Sequence, residues 1–175
     1  MQKVAESFPE HNVSTYLWDE ITSKRVGEYS QGDMEDGYVL SNKPDEDTGI
    51  VVFYPKFMTN NGTRVRFKMG IWDSANRTYG SDRLKVINVP VLKSHVDYGV
   101  TASFKHYMGV VSQQLSGEMG GSAHKAVGTG VIGTQLAETR FPTLNILDAI
   151  WIKCRPQRRS GYFVRRSYQC EGHRS

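Results

Sequence analysis

Six residues of this chain have types and spacing that could do chemistry: Lys93, His95, Thr101, Lys105, His124 and Asp148. Lys93-Ser94-His95 follows an apolar run at 84–92, and in a second apolar run, 143–151, the stretch TLNIL ends at Asp148. If both runs are parallel strands, their polar ends share one sheet edge, where open α/β folds bind ligands. Two lysines, a hydroxyl and the free N–H groups of a helix opening near Gly99-Val100-Thr101 would seat a phosphate or carboxylate. Thr101 and Lys105 are four apart and would share a face of that helix. The alternative is a divalent metal held by two imidazoles and a carboxylate, His95, His124 and Asp148. In an enzymatic version Lys93, His95 and Asp148 are catalytic, while Thr101 and Lys105 hold the ligand.

Plainer readings stand beside these. Lys93 could cap a strand end at the surface, His95 could orient its loop, and Asp148 could cap a following element. His106, beside Lys105, reads as a surface residue. No Gly-x-Ser-x-Gly elbow, phosphate-cradling Gly-Lys loop or dinucleotide fingerprint occurs.

The elements that must position these residues follow from hydrophobic periodicity. Residues 13–29 read as a strand entering a turn, and 30–49 as a solvated acidic loop without metal-loop spacing. The runs 50–58 and 63–69 flank Asn60-Asn61-Gly62, and the second alternates Val65, Phe67 and Met69 with Arg64, Arg66 and Lys68. That pattern predicts a hairpin with one wet, basic face. A Gly/Asn/Ser-rich loop is expected at 70–82. The nearly continuous apolar run at 84–92 suggests a strand covered on both faces, with Pro90 marking a bend or an interruption of pairing. From Gly99 the period changes: Val100, Phe104, Met108 and Val111 fall on one helical face. A Gly-rich loop, a weakly helical stretch at 122–138 and the 143–151 strand complete a right-handed βαβ crossover.

The chain's 175 residues suffice for one domain of ordinary size, and 38% hydrophobic with 23% charged residues fits a folded domain. No apolar run reaches membrane-spanning length, and no signal peptide opens the chain, so a cytoplasmic location is expected. Cys154 and Cys170 cannot supply the four thiolates of an iron–sulfur cluster. The net charge of +4 hides an asymmetry. Lys153–Ser175 holds seven of the 22 basic residues and one of the 18 acids, leaving 15 against 17, or −2, for 1–152. A nucleic-acid groove within the body is therefore not expected; only the tail could track phosphates.

The segment 86–109, with His124 and 141–151, resembles the family labelled domain of unknown function 362. Pro90, Leu92, Lys93, His95, Gly99, Val100, Thr101, Lys105 and Gly109 match its pattern, and His106 stands where the family has Asn. Residues 9–20 resemble the stretch before the family's variable region, so the likeness spans roughly 9–152. It implies an α/β protein, sometimes associated with iron–sulfur modules, and supports the choice of Lys93, His95, Thr101, Lys105, His124 and Asp148.

The expected architecture is a single partial α/β domain over 1–152, with an incomplete, mostly parallel sheet, crossover helices and an added β-hairpin. Family members extend further at both ends, which would leave apolar sheet edges uncovered here. Residues 153–175 read as a basic tail outside the fold, and a shifted reading frame would turn much of it into a Gly-rich loop and an apolar strand. The competing reading is a genuine arm for nucleic acid or acidic lipid. Functionally the expectation is a site for a small anionic ligand or a metal; the alternative is a non-catalytic binding module or a fragment without independent function.

Overall fold

In a computed structural model of the chain the described residues are 2–95, 99–110 and 131–153. Their dominant feature is an antiparallel meander of five strands in chain order: β1 (Gly37–Leu40), β2 (Phe53–Met58), β3 (Arg64–Arg66), β4 (Gly70–Asp73) and β5 (Thr78–Gly80). Short turns suffice to join antiparallel neighbours. The β4–β5 turn is closed by the Asp73 carboxylate, which accepts from the backbone N–H groups of Ala75 and Asn76 at 2.9 and 3.2 Å. At Gly70, with φ +110, the ring of neighbours is closed: a Cβ there would lie 2.2 Å from the Gly80 carbonyl oxygen.

The core lies on one side of the meander. Tyr38, Phe53 and Phe67 meet Tyr107, Met108, Ile132 and Leu136, contributed by α2 (Ser103–Tyr107), the 3-10 turn Met108–Val110 and α3 (Val131–Glu138). The Tyr38 hydroxyl donates to the Val110 carbonyl at 2.8 Å. Arg140, just past α3, clasps the sheet to the following segment. Its guanidinium donates to the carbonyls of Phe67, Lys68, Ser81 and Leu84 at 2.8–3.2 Å.

The opposite side of the β2–β3 hairpin was expected to be wet and is not. Lys56 and Arg66 are register partners there, and the turn Tyr29–Gln31 with its flanking acids folds over them. Lys56 is fully buried. It donates to the Asp33 carbonyl at 3.0 Å, lies 3.5 Å from the Asp33 carboxylate and sits 4.4 Å from the Tyr29 ring centroid. Arg66 pairs with Glu28 at 2.5 Å and donates to the Tyr54 hydroxyl. A buried cation needs such partners, because desolvation alone would cost several kcal/mol. Burial lowers the Lys56 pKa below its usual value despite Asp33, and burial raises that of Glu28 despite Arg66.

The motif segment forms two small sheets. β6 (Ile87–Asn88) pairs in parallel with β9 (Leu144–Asn145), and β7 (Val91–His95) lies between β10 (Asp148–Lys153), in parallel, and β8 (Gly99–Thr101), antiparallel. Buried Pro90 interrupts the run between β6 and β7, and its carbonyl accepts from the Asp148 N–H at 2.8 Å. The remaining helix, α1 (Gln2–Ser7), is exposed at the N-terminus.

This architecture corrects the expected fold class. Among the described residues the protein is mostly β, a five-stranded antiparallel sheet and two small sheets with short helices, and not a parallel α/β fold. The difference shows at three places in the chain. Gly99, at φ +74, reverses the chain so that 99–101 returns along β7 as a strand instead of opening a helix. Val100 and Phe104 are accordingly exposed while Met108 is buried, so they do not share a helical face; Val111 lies outside the described residues. Strands at 37–40, 70–73 and 78–80 stand where loops were expected, and 13–29 is irregular, with a 3-10 turn at Trp18–Glu20, instead of a strand.

Candidate functional site

β7 and β8 bring three of the candidate residues together. Lys93 is the direct partner of Thr101, and His95 is the partner of Gly99. Direct cross-strand partners have Cβ atoms about 4.5–5.5 Å apart and point to the same face. Period two along β7 puts His95 on that face as well, about 7 Å from Lys93. Lys93 is exposed and His95 half-buried, whereas Thr101 is only 7% exposed. The Thr101 hydroxyl is buried and has no hydrogen-bond partner among the described residues. Leaving such a group unsatisfied costs about 1–3 kcal/mol, so an acceptor placed against it is favoured. Chemically the arrangement offers an ammonium, a hydroxyl donor and an imidazole along one strip of sheet.

The other candidates fall elsewhere. Asp148 opens β10 instead of closing a strand, and its register partner is Val91. Four residues of β7 therefore separate it from the level of His95, about 13 Å at ~3.3 Å per residue. Its carboxylate accepts from the Ile150 N–H at 3.0 Å, a local turn contact. Lys105 sits in α2, which begins only at Ser103, so Thr101 and Lys105 do not share a helical face. The Lys105 ammonium lies 3.7 Å from the Met108 sulfur. α2 is too short to serve as an anion-binding helix terminus. His124 lies outside the described residues. Among the described residues no group of three or more His, Cys, Asp or Glu side chains is gathered as metal ligands would be.

A second polar cluster was not anticipated. Asn88, buried within the apolar run of β6, is the register partner of Asn145 and donates to its side-chain oxygen at 2.8 Å. His106 reaches Asn88 at 2.6 Å. The available signal was an asparagine at the centre of each apolar run, VINVP and TLNIL, where burial demands a hydrogen-bond partner. Position 106, singled out as a departure from the family pattern, is thus in contact with both strands' asparagines through Asn88.

Residues 74–168 match the model of a family described as domain of unknown function (DUF362). The match takes in the motif block and runs into the basic tail, while residues 9–73 lie outside it. No curated protein and no solved structure matches the chain.

Proposed function

Since the chain belongs to the DUF362 family, whose model covers just over half of it, we propose that its motif block binds a small anion, a phosphate or carboxylate, on the β7–β8 hairpin. Lys93 neutralises the charge, Thr101 donates a hydrogen bond from its hydroxyl, and His95 adds a second nitrogen along the same face. The observation that carries this reading is the buried Thr101 hydroxyl, without a partner among the described residues, directly across from Lys93. A charge-assisted hydrogen bond contributes about 1.5–3 kcal/mol, so each partner is worth roughly tenfold or more in affinity.

Calorimetric titration of the full chain with inorganic phosphate and with acetate tests it. Lys93→Met and Thr101→Val are each expected to weaken binding of the preferred anion about tenfold, with the melting temperature held near that of the parent. Equal binding by all three proteins, or none by the parent, overturns the reading.

A second reading, a non-catalytic module that docks another protein, is favoured by a different observation. Ile87, Val89, Val91, Leu144 and Ile146 are all about half exposed along β6, β7 and β9. Clusters of uncovered apolar side chains mark interaction surfaces more often than isolated ones do. Among the described residues no helix is long and apolar enough to cross a membrane, so this surface is not that of a membrane-spanning helix.

A further inference from the structure

Asn88 joins three elements through one side chain. It is 6% exposed in β6; its amide nitrogen donates to the Ser103 carbonyl of α2 at 3.0 Å and to Asn145 Oδ1 of β9 at 2.8 Å. A backbone carbonyl can only accept, so the group facing it is the NH2, and the amide oxygen faces the other way. That oxygen lies 2.6 Å from Nδ1 of His106. Two acceptors cannot make this contact, so Nδ1 carries the proton. In a neutral imidazole one nitrogen is protonated and the other holds the lone pair. Nε2 of His106 is therefore the basic nitrogen. His106 is exposed, and Nε2 makes no hydrogen bond to a described residue.

We infer that Asn145, Asn88 and His106 form an oriented relay whose output is an exposed Nε2 that bears the ring's lone pair and can take the proton of a weakly acidic O–H group presented to it. In that transfer the O–H bond breaks, its electron pair stays on the ligand oxygen, and a new N–H bond forms at Nε2. The imidazolium keeps its Nδ1–H on the Asn88 carbonyl oxygen. Asn88 acts here as a positioning residue and Asn145 orients it in turn. The relay uses none of the residues of the proposed anion seat and stands or falls separately from it.

The tautomer is directly measurable. Nitrogen-15 spectra of the labelled chain, recorded with the ring neutral, are expected to show Nδ1 protonated and Nε2 bare. Asn88→Leu removes the oxygen and should return the ring to the Nε2–H form preferred by an unconstrained histidine. Asn145→Asp preserves an acceptor for Asn88 and should leave the Nδ1–H form in place. Acylation of His106 by diethyl pyrocarbonate, a probe of the bare nitrogen, should occur at Nε2 in the parent. It should move to Nδ1 or slow several-fold in Asn88→Leu. An Nε2–H parent, or a tautomer unchanged by Asn88→Leu in a folded variant, overturns the inference. Should Asn88→Leu not fold, the parent spectrum decides the matter alone.

Discussion

Single side chains carry most of what distinguishes this molecule, and their spacing revealed only some of them. Lys93 and His95 stood out in the sequence as a basic residue and an imidazole at the end of an apolar run, and β7 carries both on one face. Asn88 was harder to see, since one polar residue inside an apolar run reads as noise until its partner on another strand is known. Lys56 was hidden for another reason: it is a lone cation in the apolar run 50–58, and only the 27–33 segment, 23 residues away at Asp33, reveals that it is buried. Asp33 supplies the pH prediction. Its carboxylate accepts from the N–H groups of Glu35 and Gly27 at 2.8 and 2.6 Å. These bonds, with the Lys56 ammonium, hold its pKa below the usual 3.8. A carboxylate depressed in the folded state contributes stability above its unfolded pKa and loses it as pH falls through the folded value. The thermal midpoint of the parent is therefore expected to fall between about pH 5 and pH 3, and Asp33→Asn should lower the neutral-pH midpoint while flattening that acid slope. An acid limb unchanged by Asp33→Asn would show that the carboxylate does not hold the segment over Lys56.

Among the elements, hairpins were readable where a turn signal and alternation coincided. The pair β2–β3 across Asn60-Asn61-Gly62 follows that rule, and so does the break at Pro90. β1, β4 and β5 were not readable, because each is three or four residues long and embedded in acids, glycines and asparagines that individually favour loops. Such strands exist because the meander buries them against neighbours, so tertiary packing overrides local preference. The decisive misreading was at 99–101, where helical spacing and strand pairing compete for the same residues and Gly99 settles the choice. Nothing lies within 4 Å of a Cβ built on Gly99, so a substitution there meets only the conformational penalty of φ +74. Gly99→Val should cost about 1–3 kcal/mol and Gly99→Asn appreciably less, since Asn tolerates the left-handed region. Gly70→Ala, which would meet the Gly80 backbone, should cost more than either. Denaturant midpoints of the three variants test the ranking, and a Gly99→Val protein as stable as the parent would argue against the turn that builds β8.

Taken whole, the molecule divides its labour along the chain. The five-stranded meander, mostly ahead of the family-matched segment, supplies the aromatic core and the buried ion pairs. The segment that resembles the family supplies two small sheets, whose apolar side chains remain half exposed and whose polar residues gather on β7, β8 and around Asn88. Composition foresaw that the basic excess lies in the tail, but it could not foresee a meander built from local antiparallel pairings. In the motif segment the parallel pairs β6–β9 and β7–β10 stand beside the antiparallel β7–β8 hairpin that Gly99 turns. The central claim is that Lys93 and Thr101, brought face to face by that turn, seat an anion. The most direct test is a phosphate titration of the labelled chain followed by its backbone amide and threonine methyl resonances. The account predicts saturable shifts centred on Lys93, Ser94, Val100 and Thr101, absent in Thr101→Val. Shifts confined to the tail, or none at these four residues, would contradict it.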